Sequence, residues 1–160
     1  MGKIITLPIS CTMNTRHSKK LEWALRDFIT SNDGTYYDDE IESGIISCYF
    51  RLQNGICIEQ KVHIRKYDYV CHTTLSCSIN PKDKENMSRY VQMTNAINSE
   101  FDYGHFEVNF RTGDILFKSY YEPDDKVCSR GLFKLLVHPR RMINKFGHCF
   151  LMLTENGNKL

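Results

Sequence analysis

The sequence predicts an α+β fold: an antiparallel sheet of about five strands packed by three helices, in the order α-β-β-β-α-β-β-α. Three observations carry that prediction. Apolar residues recur at helical spacing near residues 18–31, 81–101 and 129–154. Between these stretches the period changes to two. Turn residues, above all Asn54-Gly55, separate the alternating runs.

Residues 1–16 hold a short β-prone piece, Ile4 to Ile9, broken by Pro8, which reads as an edge strand or a flexible tail. The first helix spans Ser18 to Ser31, with Leu21, Ala24, Leu25 and Phe28 as its apolar stripe and Ile29 flanking. Trp23 lies partly off the stripe and has two readings, core edge or interface anchor, a role in which tryptophan is enriched. Asn32-Asp33-Gly34 ends the helix. Ile45 to Leu52 and Cys57 to Arg65 flank Asn54-Gly55 as a hairpin, and Tyr69 to Ser76 follows as a third strand.

The next helix places Met87, Tyr90, Val91, Thr94, Ile97 and Phe101 on one face. Asn80 before Pro81 suits an N-cap, Asp83 and Glu85 suit the first turns, and Gly104 suits a left-handed stop. Phe106, Val108 and Phe110 then alternate with Glu107 and Asn109, and Ile115, Phe117 and Ser119 return beyond Arg111-Thr112-Gly113-Asp114. The last helix, Ser129 to Thr154, is apolar on more than one face. Pro139 should kink or split it. Its broad apolar surface fits either a dimer contact or plain burial in the core.

A helix carrying Asn95 and Asn98, then Tyr103-Gly104-x-Phe106-x-Val108, then Gly113-Asp114-Ile115-x-Phe117, resembles the YbjN family, loosely over residues 17–157. The resemblance implies the fold of type III secretion chaperones in a single domain over residues 1–160. It also implies a bacterial, cytoplasmic, non-enzymatic protein-binding module, chaperone-like or regulatory. Such chaperones act as dimers that hold extended partner segments in apolar grooves and at sheet edges, so a protein partner and a homodimer are both expected. By this resemblance the partner-binding positions are Trp23, Tyr49, Phe117 and Tyr121. The chain departs from the family pattern in Pro139 and in the basic character of the last helix.

Composition bounds the alternatives. A chain of 160 residues is enough for one domain with a sizeable core. No apolar run is long enough to span a membrane, and the N-terminal stretch makes a poor signal peptide, which points to the cytoplasm with no membrane partner. The net charge of +2 hides an asymmetry. Asp38, Asp39, Glu40 and Glu42 cluster, whereas Lys and Arg dominate from Lys126 onward. Seven cysteines, odd in number and irregular in spacing, read as reduced thiols.

Chemistry finds little support. Cys71-His72 and Cys77 lack the short C-x-x-C knuckle of a zinc site, so Cys48, Cys57, Cys71 and Cys77 read as small buried hydrophobes. Cys149 with His148 or His138 lacks a local nucleophile signature. No phosphate-binding glycine motif occurs, and Asp38-Asp39-Glu40 and Asp124-Asp125 read as loop acids. The expectation is therefore no catalytic residue, no metal and no cofactor. The alternative is a small cysteine-dependent enzyme or metal-binding protein. A third reading, a weak nucleic-acid binder, would use Lys134, His138, Arg140, Arg141 and Lys145, but a pI of about 8.1 is low for that role.

Overall fold

The computed structural model describes residues 17–32, 36–38, 44–77 and 79–157. The Ile4 to Ile9 piece and the acids Asp39, Glu40 and Glu42 lie outside the described residues. The helices are α1 (Lys19–Ser31), α2 (Lys84–Asn98) and α3 (Ser129–Gly157). The strands are β1 (Tyr36–Asp38), β2 (Ile45–Arg51), β3 (Cys57–Ile64), β4 (Tyr69–Leu75), β5 (His105–Val108) and β6 (Ile115–Tyr121). All pairs are antiparallel, in the order β1-β2-β3-β4-β6-β5. The expected α+β arrangement is therefore present, with β1 added beside β2. Three residues are too few to show an alternation, so β1 left no periodic signal.

The strand alternation decides what is covered. On β3, Ile58, Gln60, Val62 and Ile64 are buried while Cys57, Glu59, Lys61 and His63 are not, and β4 and β6 repeat the pattern. The covered face holds two apolar clusters. One joins Leu21, Leu25 and Ile29 of α1 to Ile46, Val62 and Tyr69 and to Leu132, Leu135 and Leu136 of α3. The other joins Met87, Tyr90 and Ile97 of α2 to Ile58, Leu75, Ile115 and Phe117 and to Ile143 and Phe150. Each such large side chain contributes about 1.5–3 kcal/mol by leaving water. The broad apolar surface of α3 is thus mostly core, because the helix crosses both clusters.

Several local expectations are corrected. Trp23 is 73% exposed, so it is not at the core edge. Two residues rotate a helix by about 200°, which turns position 23 away from Leu21 and Leu25. The cap of α2 is Asp83, not Asn80: its side chain accepts from the Asn86 N–H at 3.0 Å. Asn80 instead closes the preceding turn by accepting from the Lys82 N–H. Gly104 is not the helix stop, since α2 ends at Asn98. It has φ +71°, and a Cβ there would sit 2.5 Å from the Phe117 ring, so the position serves close packing onto β6. Phe110 falls in the turn after β5 and is 64% exposed.

Pro139 neither splits nor ends α3. Proline deprives the carbonyl four residues earlier of its donor. That carbonyl, Leu135 O, accepts instead from the Ser119 hydroxyl at 3.0 Å. Its neighbour Leu136 O accepts from Gln60 Nε2 at 3.0 Å. The sheet thus completes the helix backbone at the proline. Gln60 Nε2 also reaches Thr73 Oγ1 at 2.9 Å, and Gln60 Oε1 accepts from Arg140 Nε at 2.9 Å. The Arg140 guanidinium lies 3.3 Å from the centre of the Phe50 ring. This polar seam runs between the two apolar clusters.

Candidate protein-binding site

Alpha-helical spacing on α1 and the start of α3 leaves a cleft between them. Its volume is about 620 Å³, and Ala24, Asp27, Phe28, Val127, Arg130 and Phe133 are among its lining residues. Phe133 is 40% exposed although it is apolar. Trp23 lies one turn before Asp27 on α1 and keeps most of its surface in solvent. The lining is mixed: the apolar side chains sit beside Ser31, Asn32 and Ser129, with one acid and one base. Such a surface suits an amphipathic segment, with aromatic anchors and charges at the edge.

The four positions implied by the family resemblance do not converge. Trp23 stands on the outside of α1. Tyr49 is exposed on the uncovered sheet face and donates to Glu59 at 2.7 Å. Phe117 is fully buried against Phe101 and Phe106, so it is a core residue and presents nothing to a partner. Tyr121 is half-buried and acts as a joint: its ring stacks on Tyr69 at 5.9 Å and its hydroxyl accepts from the Cys128 N–H at 3.0 Å. A Cβ on Gly131 would lie 2.2 Å from that ring, so only glycine lets α3 begin there. Phe28 and Phe133 were visible in the sequence as apolar helix positions. Their meeting across a cleft was not, because it depends on α1 and α3 lying side by side.

The sheet edge at β5 is closed. Asn98 Nδ2 donates to Phe106 O at 2.9 Å, and Asn98 Oδ1 accepts from Phe106 N at 2.7 Å. One side-chain amide thereby makes the pair of bonds that an added strand would make. The second asparagine of the family-like motif is thus an edge plug, and a partner strand cannot pair at Phe106 without displacing it.

The thiols divide by exposure. Burial pushes the Cys48 thiol up to about 11 and those of Cys71 and Cys77 up to about 12, as inert hydrophobes. Cys57 is exposed, contrary to the sequence expectation, because its side chain falls on the uncovered face. Cys128 is exposed just before α3. Hydrogen bonds from the Tyr121 hydroxyl, first, and from the Gly131 N–H lower its pKa. Among the described residues no histidine hydrogen-bonds to Cys128, and no group of three or more His, Cys, Asp or Glu is placed to hold a metal.

The basic stretch is dispersed. Arg140 is drawn into the polar seam, Arg141 lies 5.2 Å from the Phe133 ring, and Lys134 lies 5.9 Å from the Tyr103 ring. His138 packs against Phe101, Tyr103 and Phe117. None of the described helices is long and apolar enough to cross a membrane.

No protein-family model matches the chain, and no curated protein matches it. Its structure is similar to the crystal structure of YbjN from E. coli, a protein assigned provisionally as a transcription regulator. The TM-score is 0.53 at 8% sequence identity, covering 85% of this chain and 93% of that one. At that identity the likeness shows a shared fold.

Proposed function

We propose that this protein is a non-enzymatic protein-binding module, chaperone-like or regulatory, that holds a non-globular segment of a partner protein in the cleft between α1 and α3. The observation that carries this reading is the exposed Phe133, with Phe28 and Val127, in a cleft of about 620 Å³ that also has Asp27 and Arg130 among its lining. A bound segment would seat apolar side chains on Phe28 and Phe133 and place opposite charges near Asp27 and Arg130. The shared fold with YbjN is compatible with a binding role. Trp23 and Tyr49 remain surface positions that a larger partner reaches, whereas Phe117 and Tyr121 act through the core.

The test is site-directed photo-crosslinking. A benzophenone side chain is placed at position 133 in the cleft and, as a control, at position 110, another exposed aromatic. The expected result is a discrete crosslinked protein from position 133, lost when Phe28→Asp is added, and none from position 110. Equal labelling from both positions, or labelling that survives Phe28→Asp, would remove the cleft as the site.

A further inference from the structure

The strands present their second face uncovered by any described helix, and its central residues form two adjacent rows across the sheet, flanked by Arg51 and Cys57 on one side and by His63, Val70 and Tyr120 on the other. Pairing places Ser47 beside Lys61, Lys61 beside His72, His72 beside Lys118 and Lys118 beside His105. This row is cationic. The next row joins Tyr49, Glu59, Thr74, Leu116 and Glu107 in the same way. This row is acidic at Glu59 and Glu107. Within the chain the rows already attract: Lys61 lies 3.6 Å from Glu59, His105 lies 2.6 Å from Glu107 and Lys118 lies 3.9 Å from Glu107.

We propose that a second copy of this chain docks on this face about a two-fold axis that runs along the rows and between them. An isologous interface needs a patch complementary to itself. A two-fold in this position lays each strand over its own copy and each cationic row over the other copy's acidic row. Lys61 then faces Glu59 of the second copy, and His105 faces its Glu107. The Lys118 stem covers its Leu116, His72 meets its Thr74, and exposed Tyr49 lies above its buried Ser47. No like charges oppose one another. The result is an aligned pair of sheets.

A nucleic acid fits less well. Its phosphates would meet Glu59 and Glu107 as well as the two lysines, whose formal charges cancel, leaving Arg51 beside the rows as the uncompensated charge. At about 4.8 Å per strand, five strands span only about 24 Å, so the interface is small and should dissociate on dilution.

The experiment is sedimentation equilibrium of the full chain across a dilution series at low salt, with circular dichroism to confirm folding of each variant. Wild type should pass from dimer to monomer on dilution. Glu59→Lys alone and Lys61→Glu alone each set like charges face to face, and each should weaken the dimer about tenfold or more. Combining the two exchanges should restore it. A folded wild type that stays monomeric at every concentration overturns the proposal. So does a dimer indifferent to the single exchanges, or one not restored by the double exchange. Retention of a single-stranded oligonucleotide that Lys61→Glu abolishes would assign the face to nucleic acid instead.

Discussion

The two faces of the sheet are made by the same strands, residue by residue, and they satisfy their polar groups in opposite ways. On the covered face Gln60, Thr73 and Ser119 are fully buried. Two of them, Gln60 and Ser119, are bonded to the α3 backbone at the turn where Pro139 leaves the Leu135 carbonyl without its helical donor. On the uncovered face Glu59, Lys61, Lys118 and Glu107 pair with one another and remain in reach of water. A polar side chain away from water needs a fixed partner, whereas one in water needs only tolerance. The covered face therefore ties particular strand residues to one helix sequence, and the uncovered face is free to be shaped by what docks there.

The sharpest way to break this contrast is to cut adjacent residues. Phe117→Ala removes a fully buried ring from a cluster with Phe101, Phe106 and His138. It should cost about 3–5 kcal/mol, which threatens folding outright in a protein of ordinary stability. Lys118→Ala, one residue on, should stay within about 0.5 kcal/mol in the monomer. Urea unfolding midpoints measure both. A comparable loss at Lys118 would mean that the second face is covered after all.

The proline seam offers a finer cut. Ser119→Ala leaves Leu135 O without a donor in a buried position, and should cost about 1–2 kcal/mol. In a Pro139→Ala background the helix regains an N–H for that carbonyl, so the same Ser119→Ala change should cost about half as much or less. A double-mutant cycle by urea unfolding reads the coupling. Equal costs in the two backgrounds would show that the hydroxyl and the proline are unrelated.

What the sequence revealed follows the same divide. The hairpin at Asn54-Gly55, the stripe of α1 and the α2 face were legible because they are periodic and local. The family-like pair Asn95 and Asn98 was legible as a motif, but not the job of Asn98, which depends on β5 lying eight residues away in sequence and beside it in space. Pro139 looked like a break because helix propensity is a local rule. The donor that replaces the missing N–H comes from Ser119 on β6, with Gln60 on β3 bonding the next carbonyl, and no local rule could supply them. The cap of α2 was misplaced by three residues because Asn80 and Asp83 are both good caps, and the turn through Pro81 decides between them.

The smallest expected effect is a pH dependence that joins the two faces. His138 packs among aromatic rings on the covered side, and its Nε2 is buried with no hydrogen-bond partner among the described residues. Burial lowers its pKa, helped by Arg141 and Lys134 and opposed by the Tyr103 backbone. His72 on the uncovered face is lowered too, by burial and then by His63 and Lys118, with Glu107 opposing. In both cases the unfolded chain, with histidine near its ordinary pKa of about 6.5, binds the proton more readily than the folded one. Their contribution is complete above about pH 6.5 and is lost as pH falls through the lowered folded values. Urea midpoints at about pH 8 and about pH 5 should therefore differ, with the lower pH less stable. Glu22 does not confuse this window. Burial alone would raise its pKa, but hydrogen bonds from Lys19, His17 and Arg26 hold it at about 2, so its own loss comes at more acidic pH. His138→Phe keeps the aromatic packing and removes the proton site, so it should flatten the pH 5 to pH 8 difference by the covered-face share alone. If His138→Phe leaves the difference unchanged while His72→Asn abolishes it, the pH sensitivity belongs wholly to the uncovered face.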